Sequence, residues 1–389
     1  MKVGLHTIDL FPGRERLMPF RTVLEVAKVM NAHGWEADVL NSSVSTGHKI
    51  KDFEWQGVRV IQCPRDFGEL SEWVNNRSYD TFYFAATIRE GLRNLTAFQK
   101  MTCRKVAYIP SGITPKWNAF QLFRHYGIYA KAWILEAATP KTWIAQKLKR
   151  AGFTDIIGLT KYTSLQLGNA LPAHTIYPGK DEFERIETDE SVLKENRLKG
   201  KRFYLFTGAP GQVRGSRLLL KAFDKFAGQN KNTRPRIVFL MRNDAGAQYD
   251  LFFKTLDTMH NKDCVTTLRS QLTPQQLKAF MTEAYAVALP FICIPAEVPI
   301  TYYEVMSCGT PIISFSNAGT TEYLKSGLKV AGKVSANNLA KALSELWNNK
   351  NECDMLGMKA SEIMAVHPTW EQVGKDWMEV ITKEKKVTI

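Results

Sequence analysis

The chain has 389 residues, of which 44 % are hydrophobic and 23 % charged, the balance of a soluble globular protein with two domains of ordinary size. No apolar run reaches the length of a membrane span, which excludes a membrane-crossing helix. The six cysteines (63, 103, 264, 293, 308 and 353) form no CxxC pair and no His–Cys cluster, so they read as buried reduced thiols of a cytosolic protein and not as a zinc site. Met1-Lys2 leads straight into a strand and not into a signal sequence, so the chain is expected to stay inside the cell unless a partner carries it. The net charge of +14 is uneven. From Met101 to Lys180 there are eleven Lys/Arg against Glu136 and Asp155 alone. Such a face suits an anionic bilayer, a lipid-diphosphate, an acidic polymer or nucleic acid.

Val3–Ile8 reads as a short buried strand, followed by the loop Phe11–Arg16, a helix from Phe20 to His33 closed by Gly34, and a strand at Val39–Leu40. A β-loop-α-β start of this kind opens a doubly wound sheet, whose ligands lie at the carboxyl ends of its strands. Further strands are expected at Val58–Ile61, Thr81–Phe84, Lys105–Ile109 and Asp155–Leu159. Between Lys116 and Trp133, basic residues alternate with Trp117, Phe120, Phe123, His125, Tyr126 and Tyr129. That pattern fits an interfacial helix dipping into headgroups, rings on which bases stack, or a packing helix with a solvated basic edge. The stretch Asp181–Arg202 reads as a linker and surface helix.

The second half begins with the strand Phe203–Gly208, the loop Ala209–Gly215 and an amphipathic helix Leu218–Phe226. Strands at Arg236–Met241, Val265–Leu268 and Ala286–Leu289 alternate with helices near Tyr249–Met259 and after Thr273-Pro274, an N-cap and first-turn pair. The stretch Ala296–Glu322 organises the rest. A short helix begins at Pro299 and stops at Gly309, Pro311 prevents its continuation, and Ile312–Phe315 forms a buried strand. Glu322 then falls in the first turn of another helix. A helix that starts at the end of a buried strand presents unpaired N–H groups and a positive dipole end, which makes a diphosphate seat. The amides of Ile300 and Thr301 face the phosphates. Glu304, one turn in, either accepts from ribose hydroxyls or only complements the dipole.

The segment Glu304–Glu322, with its acid, Gly309 and Pro311, and the loop Gly208–Gly215 together resemble the family-4 retaining glycosyltransferases of the GT-B class. The family signature is an acid, a Gly/Pro loop, a second acid eight positions on, then a small-Gly-x-Pro turn. Glu304 takes the second acid; the first falls on Ala296, and the nearest acid is Glu297. The resemblance spans nearly the whole chain and implies an α/β fold of two Rossmann-like doubly wound domains facing across a cleft. Residues 1–185 are then the acceptor-side domain, 200–366 the nucleotide-sugar-binding domain, and 367–389 a helix crossing back, with Trp370 as its packing anchor. Tyr177-Pro178-Gly179-Lys180-Asp181 resembles the turn that closes the first domain.

The resemblance also implies roles. The loop after Gly208 carries an Arg and a Lys that bind the donor diphosphate; Arg214 occupies the Lys position, Ala209 the Arg position, and Arg242 is the candidate substitute. Arg269 brackets the nucleotide base, Glu297 faces the sugar, and Gly13 and Arg14 lie at the cleft rim. Where many members have a histidine after the strand Lys105–Ile109, this chain has Pro110-Ser111-Gly112; Ser111 or His6 could replace it, although a satisfied core histidine is the favoured reading of His6. The implied reaction is retaining transfer of a sugar from a nucleoside diphosphate sugar to a glycan or lipid-linked glycan at the inner membrane face, with no metal and no other cofactor. Two alternatives stand beside it: transfer to DNA, as by phage enzymes that glucosylate modified bases, and a nucleotide-sugar-binding subunit without catalysis, to which Ala209, Ala296 and Ser111 point.

Overall fold

The computed structural model describes residues 1–18, 20–43, 51–87, 94–110, 139–242, 246–292, 298–316, 322 and 324–382. In the first domain, strands β1 (Lys2–Ile8), β2 (Glu36–Ser42), β3 (Phe53–Trp55), β4 (Val58–Gln62), β5 (Thr81–Ala85), β6 (Arg104–Ile109), β7 (Asp155–Gly158) and β8 (Ala173–Thr175) form one sheet. Their order is β3-β4-β2-β1-β5-β6-β7-β8. Every pairing is parallel except β3–β4, a hairpin whose two turn residues, Gln56 and Gly57, both have positive φ (49° and 81°). Positive φ at both turn residues gives the twist that a two-residue hairpin requires.

The second domain has β9 (Phe203–Thr207), β10 (Arg236–Met241), β11 (Val265–Arg269), β12 (Ala286–Ala288), β13 (Ile312–Ser314) and β14 (Leu328–Val330), all parallel, in the order β11-β10-β9-β12-β13-β14. Both sheets are buried on both faces, as parallel sheets with crossover helices must be, and their strands are correspondingly rich in fully buried Val, Ile, Leu and Phe. The chain has the doubly wound α/β architecture twice over. Within each sheet the winding direction reverses once, between β1 and β5 and between β9 and β12, which leaves a crevice at the carboxyl ends of those strands.

Local chemistry explains the element ends. Thr273 caps the helix Pro274–Glu283 with a complete capping box: its hydroxyl accepts from the Gln276 amide while the Gln276 side chain accepts from the Thr273 amide. The helix Ile300–Ser307 ends in Gly309 at φ 68°, the left-handed cap, as the sequence implied; Pro299, however, is the extended residue before the helix and not its first turn.

Residues 183–198, read from the sequence as a linker, contribute Phe183, Leu193 and Leu198 to the core beneath the second sheet. The helix Trp370–Thr382 returns to the first domain, where Trp370, Val373, Trp377, Val380 and Ile381 pack among the residues of β1, β2 and β5. At its start, Gly179 lies against Trp370, so close that a methyl group there would sit 2.7 Å from the Trp370 backbone nitrogen. This contact accounts for glycine directly after Pro178. Trp370 Nε1 donates to Asp181 Oδ1 at 2.8 Å. No helix among the described residues is long and apolar enough to cross a membrane.

Candidate functional site

The crevice of the second domain is built from the segments that leave β9 and β12. Gly208 directly follows β9 at φ 120°, and the Arg214 guanidinium folds back over it; any side chain at 208 would collide with Arg214 Nη1. The loop is pinned to the strand beyond β12 by a hydrogen bond from the Ile292 amide to the Val213 carbonyl at 2.8 Å, and Arg214 lies 5.8 Å from the Phe291 ring centroid. Burial lowers the Arg214 pKa, and the neighbouring Arg242 guanidinium lowers it further. Arg242 comes directly after β10, the strand beside β9. Among the described residues neither arginine has a carboxylate partner. Two like charges held together without a counter-ion form a site that an anion stabilises.

The helix Ile300–Ser307 approaches the same crevice with its amino end. The Tyr302 amide turns back to Pro299, whereas no described residue accepts from the amides of Ile300 and Thr301. Ile300 also packs against the core of the first domain, and Met18, from the loop after β1, packs against the core of the second. The two domains therefore meet at this helix.

Glu304, one turn in, is half-buried and no described residue hydrogen-bonds its carboxylate. Burial, with a smaller push from Asp181, raises its pKa to about 7 against the opposing pull of Arg16 and Arg21. Arg21 itself is engaged, with Asp181 at 3.0 Å and Glu25 at 2.5 Å. A raised carboxyl pKa has a definite sign. Between 4.5, its ordinary value, and about 7, the folded chain holds a proton that the unfolded chain has released, so stability falls as pH rises through that window. Glu304→Gln should melt at the wild-type temperature below the window and above it at neutral to mildly alkaline pH. Equal melting temperatures at both ends would show that Glu304 is not desolvated.

Other candidate residues have partners of their own. The Gly13 amide donates to Glu15 Oε1 at 2.8 Å and Arg14 stacks on Phe11 at 4.9 Å, so that turn is internally satisfied, and Arg16 is the member of the loop that faces Glu304. Arg269, at the end of β11, lies on Tyr249 and Phe253 (5.1 and 5.8 Å), two strands from β9. His6 is a core residue: buried, 5.3 Å from Phe84, bonded through Nε2 to Ser42 Oγ at 3.0 Å, and held neutral with a pKa lowered by burial to about 3. Ala296, Glu297, Ser111 and the basic-aromatic stretch 116–133 lie outside the described residues. No group of acidic, histidine or cysteine side chains among the described residues is arranged to hold a metal.

Glu322 has a role that nothing in its local sequence signals. Its carboxylate leaves its own domain and accepts from the amides of Lys161 (3.0 Å) and Tyr162 (2.6 Å), at the amino end of the helix Lys161–Gln166, and from the Tyr177 hydroxyl. The partners are about 145–160 residues away in sequence, so no short-range pattern marks them.

Residues 187–363 match the model of the family described as Glycosyl transferases group 1. Spore coat protein SA of Bacillus subtilis is 23 % identical over 205 residues, covering 50 % of this chain; the chain spans about half the length (52 %) of that relative. Among solved structures, the sucrose-phosphate synthase of Thermosynechococcus elongatus superposes with a TM-score of 0.74 at 13 % identity, covering 97 % of this chain and 98 % of that one. HepE of Anabaena, solved in complex with UDP and glucose, superposes with a TM-score of 0.67 at 15 % identity, covering 98 % and 99 %.

Proposed function

On a chain that has the GT-B fold and carries a glycosyl transferases group 1 domain in its C-terminal half, we propose a retaining glycosyltransferase that moves a sugar from a nucleoside diphosphate sugar to a glycan or lipid-linked glycan. The observation that carries the reading is the pair Arg214, desolvated, and Arg242, exposed beside it, with no carboxylate partner among the described residues, in the same domain as a helix, Ile300–Ser307, whose first two amides no described residue engages. Glycosyl transfer passes through an oxocarbenium-like state, and here the departing group is a diphosphate. Its developing charge is the main demand on the enzyme, and preorganised cations and amides meet that demand without rearranging.

In this scheme Arg214 and Arg242 take the phosphate oxygens from the β9–β10 side, and the amides of Ile300 and Thr301 take them from the other. Arg242 supplies the second cation that Ala209 lacks. Glu304 accepts from the ribose hydroxyls, for which it must be ionised, so donor affinity should rise with pH through about 7. That HepE was solved with UDP and glucose supports a nucleoside diphosphate as the ligand class.

A thermal-shift screen across UDP-, GDP-, ADP- and CMP-sugars tests the reading. A donor at a hundred times its dissociation constant should add about 2.7 kcal/mol of stability, and Arg214→Ala should lose that shift. If no sugar nucleotide raises the melting temperature, the donor assignment fails. A shift without transfer or slow donor hydrolysis would leave a binding subunit.

A further inference from the structure

We propose that the first domain docks on anionic lipid bilayers through the surface that carries Trp143 and Leu165. The helix Lys141–Arg150 (KTWIAQKLKR) has four basic residues and no acidic one. Ile144, Ala145 and Leu148 face inward, whereas Trp143 is 42 % exposed and Lys147 extends across its ring at 4.1 Å. Trp143, Lys147 and Arg150 fall at i, i+4 and i+7, on one stripe of the helix.

The neighbouring helix Lys161–Gln166 exposes Leu165 to 73 %, the most exposed leucine among the described residues. The two helices touch at the surface: a methyl group on Gly168 would lie 3.1 Å from Thr142 Cγ2, and both residues are exposed. That contact sits one residue from Trp143 and three from Leu165 in sequence, which brings the elements carrying the indole and the leucine together at the surface. Lys149, Arg150 and Lys161 are exposed around it and form no ion pair among the described residues. An apolar centre of tryptophan and leucine ringed by unpaired cations matches the chemistry of a bilayer whose headgroups carry negative charge. A phosphodiester backbone would use the cations and leave a bare leucine unexplained.

The patch borders the cleft, because Glu322 holds the amino end of the same helix from across it. A bound bilayer would therefore lie beside the cleft mouth, whatever the sugar donor is.

Flotation with vesicles of phosphatidylcholine, alone or mixed with phosphatidylglycerol, tests the proposal on the full chain. The wild type should float with the mixed vesicles, stay behind with the neutral ones, and detach at high salt. Lys149→Glu/Arg150→Glu should weaken binding about tenfold or more, since each basic side chain at an anionic surface contributes severalfold. Trp143→Ser/Leu165→Ser should weaken it without removing any charge. Both variants should keep the wild-type melting temperature and any sugar-nucleotide shift, which separates loss of docking from loss of fold or donor site. The proposal is overturned if the wild type ignores mixed vesicles, binds neutral ones equally, or binds duplex DNA and not vesicles, or if both variants float as the wild type does.

Discussion

Arg214→Ala is expected to lower kcat about a hundred- to a thousandfold, the effect of removing one well-placed donor from a developing oxyanion, or about 2.7–4 kcal/mol of barrier. The melting temperature should not fall with it. Arg214 is desolvated, pressed toward a second guanidinium and without a described acidic partner, so the folded protein without ligand gains little from its charge. A loss of activity with unchanged or raised stability distinguishes a site residue from a structural one. Arg242→Ala should cost less, because that side chain is more exposed, and the double variant should fall short of the product of the two. Both groups answer the same charge, and effects of groups that act together are not additive. Arg214→Lys should recover part of the rate, keeping the charge but not the fork. Steady-state kinetics beside thermal melts provide the check, and wild-type kcat in Arg214→Ala would remove this residue from the chemistry.

Trp377→Ala is expected to destabilise the chain by about 3–5 kcal/mol, the range for removing a large aromatic side chain from a core. Trp377 is fully buried between Tyr83 and Tyr108, at 5.1 and 5.3 Å between ring centroids, and its backbone carbonyl accepts from the Tyr83 hydroxyl at 2.7 Å. The end of the same helix is held by Arg104, which donates to the Ile381 carbonyl at 2.7 Å and the Val380 carbonyl at 3.1 Å while paired with Asp155 at 2.9 Å. Without the indole, the returning helix keeps both ends anchored but loses the largest side chain of its apolar face. Chemical denaturation monitored by far-UV circular dichroism measures the loss. An effect below about 1 kcal/mol, the scale of ordinary surface substitutions and small repacking, would mean that the helix is held by Arg104 and not by its apolar face.

Where an element is specified by neighbours in sequence, the sequence revealed it. Thr273-Pro274-Gln275-Gln276 encodes its capping box within four residues, and Gly309-Thr310-Pro311 stops one helix and starts β13. The parallel strands were legible as apolar runs because both faces of each sheet are covered. The short edge strands β3, β8 and β14 were not: they have too few positions to show a period and, unlike the equally short central β12 and β13, are not buried throughout, and the turn between β3 and β4 places Gln56, not Asn or Asp, at positive φ.

The same division runs through the candidate site. Arg214, Ile300, Thr301 and Glu304 lie at strand and helix ends whose geometry local residues dictate. Arg16 and Glu322 act across the cleft, and Phe183, Leu193 and Leu198 take a segment of linker-like composition into a core, both outcomes of contacts between distant parts of the chain.

The chain passes between its domains twice, and the two passes lie side by side. The Lys180 amide donates to the Pro368 carbonyl at 3.0 Å, Lys180 bridges to Thr369, and His367, kept neutral by a pKa that burial lowers to about 4, donates through Nε2 to the Pro178 carbonyl at 2.9 Å. Two segments tied together in this way would let the halves rotate about the line they share, whereas sliding would break all of these bonds at once. A rotation about that line would move Arg16 away from Glu304 and break the grip of Glu322 on the Lys161 and Tyr162 amides together, so these two contacts across the cleft would answer to a single angle.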